Sequence, residues 1–269
     1  MTRAQVTAVS LLSLLSLTSP LLACTQPKVQ CTSAHGTYVA AYKLKKGDPM
    51  SPCGGKQIEV LGMQSYFAGG GPDNKQKYNE GSVAIRPEDL GLLLEYAQSR
   101  VEEITPEPEP NSVGKFTSGK AIEDDFCEIP TFSESHVVLP DIQEIPDDPA
   151  TPDDDETMPA QAATDLSYVF SNARFLVTAD AQGTQFTADL KFTQDGCTAE
   201  YEVTGVYPVI GCVEDRDCLC LAPAEDATPA EKKMYTTECI PSGMNPDFAV
   251  KCNTDYGLCV LAEAPPSYQ

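Results

Sequence analysis

Six of the eleven cysteines, Cys212, Cys218, Cys220, Cys239, Cys252 and Cys259, fall within 48 residues, and that density restricts the fold more than any other feature. Turn formers such as Pro241, Ser242, Gly243, Asn245 and Pro246 separate them, and apolar residues there are too few to build a core. Cross-links must supply the cohesion that burial cannot. Six cysteines allow fifteen pairings, and spacing alone does not choose among them. Residues 212–269 therefore read as a disulfide-rich C-terminal module. It follows a main domain, 31–211, that carries Cys31, Cys53, Cys127 and Cys197. No CxxC pair occurs and only His35 and His136 could offer imidazole, so neither a metal nor a cofactor is expected.

The main domain reads as β-rich. Phe186, Ala188, Leu190 and Phe192 alternate with Thr187, Asp189, Lys191 and Thr193. After the hairpin signal Asp195-Gly196, Cys197, Ala199, Tyr201 and Val203 alternate with Thr198, Glu200, Glu202 and Thr204. With the apolar stretch 168–178 before them, these predict three adjacent antiparallel strands with one buried face. Earlier strands are expected at 36–45 and 57–67, then a polar loop over 69–81 and a short strand at 82–85. Irregular strands are expected at 114–126 and 129–139. One helix stands out. Pro87 opens it with Glu88 and Asp89 behind, and Leu90, Leu93, Leu94, Ala97, Val101 and Ile104 form its apolar stripe. Proline-rich linkers follow at 105–110 and 146–160, the second strongly acidic but without EF-hand spacing. The fold class is α+β: mainly antiparallel β with one packed helix and a disulfide-rich C-terminal tail.

Residues 1–23 read as a secretory signal peptide. Arg3 lies near the amino terminus, an apolar run follows, and Pro20 breaks any helix before the cleavage site. The run is shorter than the ~20 residues a membrane-spanning helix needs. Leu21-Leu22-Ala23-Cys24 resembles the lipobox of bacterial lipoproteins, although Leu22 stands where Ala, Ser or Thr is commoner. The resemblance implies cleavage after Ala23 and acylation (palmitate among the acyl chains) on Cys24. Thr25, where an Asp would mark inner-membrane retention, implies the outer membrane, facing the periplasm or the surface. Setting Cys24 aside leaves ten cysteines, an even number that can all pair. The tether 24–30 leaves six residues before Cys31, a reach of about 20 Å, which keeps the folded body close to the lipid.

Further residues carry a second resemblance. Tyr38 to Cys53, Gly114-Lys115-Phe116-Thr117 and Asp125-Phe126-Cys127 look familiar. So do Gly183-Thr184-Gln185-Phe186-Thr187-Ala188-Asp189-Leu190, Asp195-Gly196-Cys197-Thr198-Ala199-Glu200-Tyr201, Val206-Tyr207-Pro208 and Cys212. Together they are similar to a group of lipoproteins from myxobacterial-type envelopes. That group implies a lipid-anchored envelope protein and no catalytic residues.

Catalytic patterns are sparse. Gly114 to Lys120 spells GxxxxGK, but Ala121 follows where a phosphate loop needs a hydroxyl. Ser112 and Lys115 match SxxK without the SDN or KTG that acylating enzymes add. Neither His35 nor His136 has an identifiable nucleophile and orienting acid. A net charge of −22 repels nucleic acid, and attachment to membrane should come from acyl chains on Cys24 rather than a basic face. The expectation is a non-enzymatic structural or interaction protein of the envelope, its protein or glycan partner unidentified. A binding module for a glycan, peptide or cation is the alternative, and a hydrolase with an unrecognised site comes third.

Overall fold

The computed structural model describes residues 29–70, 75–122, 124–146, 157–221 and 227–269. The signal peptide, Ala23, Cys24 and positions 147–156 of the acidic linker lie outside the described residues. The strands are β1 (Gly36–Lys46), β2 (Ile58–Ala68), β3 (Lys77–Pro87), β4 (Ser112–Lys115), β5 (Phe126–Thr131), β6 (Ser135–Leu139), β7 (Thr164–Val177), β8 (Gln182–Gln194) and β9 (Cys197–Val206). They pair antiparallel in the order β4-β3-β2-β1-β9-β8-β7-β5, with β6 continuing beside β7. The two ends of that path meet. Gly114 bridges Phe132, the Ser133 amide donates to the Val113 carbonyl (2.9 Å), and the Thr117 amide donates to Glu128 (3.0 Å). The sheet is thus an eight-stranded barrel, which removes the exposed edges an open sheet would present.

Alternation sorts the side chains. Tyr38, Tyr42, Leu61, Val83, Ile85, Ile129, Phe170, Phe175, Phe186, Leu190, Tyr201 and Val203 pack the core and are buried. Outside, Lys43–Glu202, Lys45–Asp189 and Lys46–Glu200 pair across β1, β8 and β9. An apolar inside and a charged outside invert the pattern of a membrane-spanning barrel. Gly205 on β9 permits close packing: a Cβ there would lie 1.9 Å from the ring of Phe186 on neighbouring β8, so only glycine leaves room for that ring.

The strands define two ends. Residues 29–34 arrive at the entry end, where Cys31 is bridged to Cys127 and the Cys31 amide donates to Gly119 (3.1 Å). Gly183, at a φ of +70°, lies so close to Thr32 that a Cβ would sit 2.2 Å from its carbonyl. The opposite end, here the mouth, is clamped by Cys53–Cys197 and covered by α1 (Glu88–Arg100). Helix α1 buries Leu90, Leu94 and Ala97. It stops three residues after Ala97, so Val101 and Ile104 fall beyond it. Val101 is already extended, and Ile104 still packs on the core from the connection to β4.

Two expectations are corrected by pairing. β3 begins at Lys77, inside the stretch read as loop, because Lys77 faces Ala68 across the ladder. Residues 78–80, with exposed side chains, bulge between that pair and the next, Phe67 with Gly81. Of 114–126, only positions 114 and 115, at the end of β4, and 126, at the start of β5, are strand.

The Cys-rich segment holds a 3-10 turn (Asp215–Cys218), a helix α2 (Pro229–Thr237) that the turn-rich composition did not suggest, and the hairpin β10 (Val250–Asn253) and β11 (Leu258–Leu261). Bridges Cys212–Cys252, Cys218–Cys259 and Cys220–Cys239 tie it. Its apolar shortage is met by the barrel. Met244, Phe248 and Leu261 share a second core with Phe126, Leu176, Ala181 and Val206 on the barrel's outer wall. Gln185, fully buried on β8, exchanges two hydrogen bonds with the Ser267 backbone (3.1 and 2.9 Å).

Candidate functional site at the barrel mouth

Along β2, Glu59 shares the parity of Leu61 and Met63, so the pleat turns its carboxylate into the barrel. Its side chain is fully buried. Burying a charge requires partners, and the neighbours supply them. Tyr42 donates to one oxygen (2.9 Å) and Tyr168 to the other (3.1 Å). Lys56 reaches in from the loop before β2 and pairs with Glu59 at 3.2 Å. The same ammonium bonds Asp89 at the start of α1 (3.0 Å) and the Tyr168 hydroxyl (3.0 Å), and sits 4.8 Å above the Phe192 ring. Nearby, Tyr201 donates to the Cys53 carbonyl (2.5 Å) and accepts from the Lys56 amide (3.2 Å), so the Cys53–Cys197 clamp also fixes Lys56.

Burial raises the Glu59 carboxyl above the usual range, opposed by the nearby Lys56 charge and reinforced by Asp89. Burial also pushes the Tyr42 and Tyr168 hydroxyls far up, with the Glu59 charge adding to it. Both phenols therefore stay neutral donors. The three ammonium donors of Lys56 are all engaged, and both Glu59 oxygens accept. Such a network holds its members in fixed orientations.

Above this floor opens a concavity of about 730 Å³, within the range of small-molecule and peptide pockets. Phe192 and Leu258 give it apolar walls, and the tip of the C-terminal hairpin contributes Tyr256. Glu88, Asp89 and Met50 line it too, and all three are exposed, Met50 at 90%. The barrel mouth and the Cys-rich segment therefore build one site together.

The residues singled out from sequence lie elsewhere. Ser112 is buried and Lys115 exposed, on opposite faces of β4, so SxxK forms no dyad. Residues 114–120 run from a strand into a turn, with no helix N-terminus for a phosphate. His136 bonds Asp165 through Nε2 at 2.7 Å on the outer wall. His35 lines a shallow groove of about 280 Å³ with Tyr66 and Arg86. Cys31, Cys53, Cys127, Cys197, Cys212, Cys218, Cys220, Cys239, Cys252 and Cys259 all lie in bridges. The sulfurs of Cys212, Cys218 and Cys259 approach one another within 4.8 Å, but as disulfides they offer no thiolate to a metal. Among the described residues no helix is long and apolar enough to cross a membrane. Lys56, Glu59 and Tyr168 had gone unnoticed. The available signal was a lone acid on the inward parity of an apolar strand.

A family model described as MlpA matches residues 36–208, the barrel from its first strand to the turn after its last. A curated relative from Myxococcus xanthus, named "Putative lipoprotein MlpA", is 36% identical over 113 residues, 40% of this chain and 42% of that protein. The match thus spans less than half of the relative's length. No solved structure matches.

Proposed function

This chain belongs to the MlpA family, and from that premise we propose that it is a myxobacterial-type envelope lipoprotein with a non-catalytic interaction role. Its anchor is the acyl-modified Cys24, its site the outer membrane, and its working surface the mouth of the barrel. The Myxococcus relative's name and the lipobox-like Leu21-Leu22-Ala23-Cys24 support the anchoring. The observation that carries the interaction role is the concavity of about 730 Å³ over the Lys56–Glu59 floor. At its sides Asp89 and Glu88 exceed the single cation Lys56, and Met50 and Tyr256 add soft, exposed apolar surface. That chemistry fits a cationic ligand with an apolar portion, such as a basic peptide segment.

Two experiments test this. Cys24→Ser should lose its lipid and leave the membrane fraction; retention of that variant rejects the anchoring. Calorimetric titration of the acylated protein with short Lys/Phe and Glu/Phe peptides should detect binding of the basic series alone, weakened in Glu88→Gln/Asp89→Asn. Equal binding of both series, or of neither, rejects the site.

A further inference from the structure

We infer that the entry end of the barrel is a lipid-docking face, and that Tyr66, Phe67 and Tyr78 seat in the headgroup layer of the membrane that holds the acyl chains. This rests on the reading of Cys24 as acylated. Only four residues, 25–28, separate Cys24 from Val29, so the first described residue lies within about 18 Å of the lipid. The chain is then pinned at once. Gln30 bridges Lys120, Cys31 bonds Gly119 and is bridged to Cys127, and Ser33 bonds the Ser65 hydroxyl through its amide (2.8 Å) and its hydroxyl (2.9 Å). With the chain pinned there, the entry end is the part of the barrel nearest the acyl chains.

What that end presents suits the boundary. Tyr66 follows Ser65 and is 49% exposed; Tyr78 is 38% exposed and packs edge-on against Phe67 at 5.0 Å. Tyrosines with an apolar body and a wet hydroxyl partition to the membrane–water boundary. The strands place cations beside them. Lys75, Lys115 and Lys120 are exposed and make no ion pair among the described residues, while Lys77 pairs with Glu80 (3.3 Å). Of the described acids at this end, Glu80 pairs with Lys77, Asp124 lies 3.6 Å from Arg174, and Asp125 and Asp180 are exposed. Among the described residues, Lys75, Lys115 and Lys120 stand without ion pairs at the end that carries the aromatic cluster, where they can meet a phosphate headgroup. Their stems can lie along the lipid while the ammonium reaches phosphate. The acyl chains supply the affinity, and the aromatic cluster fixes the orientation. The mouth, at the other end of the strands, then faces away from the lipid.

Hydrogen exchange on the full acylated chain tests this, in nanodiscs of phosphatidylethanolamine and phosphatidylglycerol against detergent, with the mass of the amino-terminal peptide recorded. Docking should slow exchange in peptides covering 65–70, 75–81 and 117–122 by roughly threefold or more, and leave 47–57 at the mouth unchanged. The surface variant Tyr66→Ser/Tyr78→Ser should stay in the nanodisc and lose that protection. An unacylated mass overturns the anchoring and the docking with it. An acylated chain protected at the mouth, or nowhere, overturns the docking alone. Protection that grows with protein concentration without lipid identifies a second copy as the occupant and also overturns it.

Discussion

Lys56 and Glu59 stand three residues apart and form an ion pair at 3.2 Å, the Glu59 side chain fully buried and the Lys56 side chain 12% exposed. Glu59→Ala removes the counter-charge and leaves the Tyr42 and Tyr168 hydroxyls facing an empty space. Breaking a buried pair by deleting one partner costs about 3–5 kcal/mol. Urea unfolding of Glu59→Ala should show that loss, and a change under about 1 kcal/mol would mean the pair is not part of the folding core.

The same residue sets a pH dependence. Its folded carboxyl titrates above the ordinary glutamate value because of burial. Between those two values the folded protein holds the proton more tightly than the unfolded chain, so stability falls as pH rises through that window. Glu59→Gln keeps an acceptor for the tyrosines and cannot titrate. Melting temperature against pH from 4 to 8 should slope downward less steeply with pH in Glu59→Gln than in wild type; parallel curves would count against the buried carboxylate.

Gly205 lies under the Phe186 ring, where a methyl group would approach to 1.9 Å. Gly205→Ala overpacks the core and should cost about 1–3 kcal/mol. Gly211, whose nearest neighbour to an added Cβ is 3.8 Å away, serves as a control, and Gly211→Ala should stay within about 0.5 kcal/mol. Thermal unfolding of the two variants distinguishes them.

Gln185→Ala cuts both bonds to Ser267 and strands a buried amide and carbonyl of the tail. Unsatisfied groups of this kind cost about 1–3 kcal/mol each. The C-terminal segment should loosen from the barrel, so limited proteolysis should release fragments from 212–269 faster than in wild type while the barrel core persists. An unchanged digestion pattern would show that the shared apolar core alone holds the tail.

The barrel bridge Cys53–Cys197 closes a loop of 144 residues and the tail bridge Cys220–Cys239 one of only 19. In the chain-entropy model these constrain the unfolded state by about 5 and about 3 kcal/mol. Paired Cys→Ala variants should therefore lower the melting temperature more at the mouth than in the tail, and the reverse order would place the stabilisation in native contacts.

The meander β7-β8-β9 was legible because 186–193 and 197–204 alternate without interruption, and Asp195-Gly196 marks their hairpin. Closure of the sheet was not, because it depends on short contacts such as Gly114 with Phe132, where β4 has only four residues. The first half of β3 was hidden since Tyr78, Asn79 and Glu80 carry no apolar alternation and bulge between the pairs Ala68–Lys77 and Phe67–Gly81. The site escaped for a related reason. Asp89 and Tyr168 come from a helix start and a distant strand, and only the fold brings them to the Lys56–Glu59 pair.

β1 bonds β2 on one side and β9 on the other, with Val39 facing both Val60 and Val206. A chain delivered amino terminus first must therefore keep the second flank of β1 unpaired until β9 has emerged. Strand flanks left open in this way invite mispairing with other chains. Assembly is governed by its last long strand, so truncations before Val206 should yield aggregates rather than shortened barrels. The moment of greatest vulnerability comes before the cell can use any part of the protein.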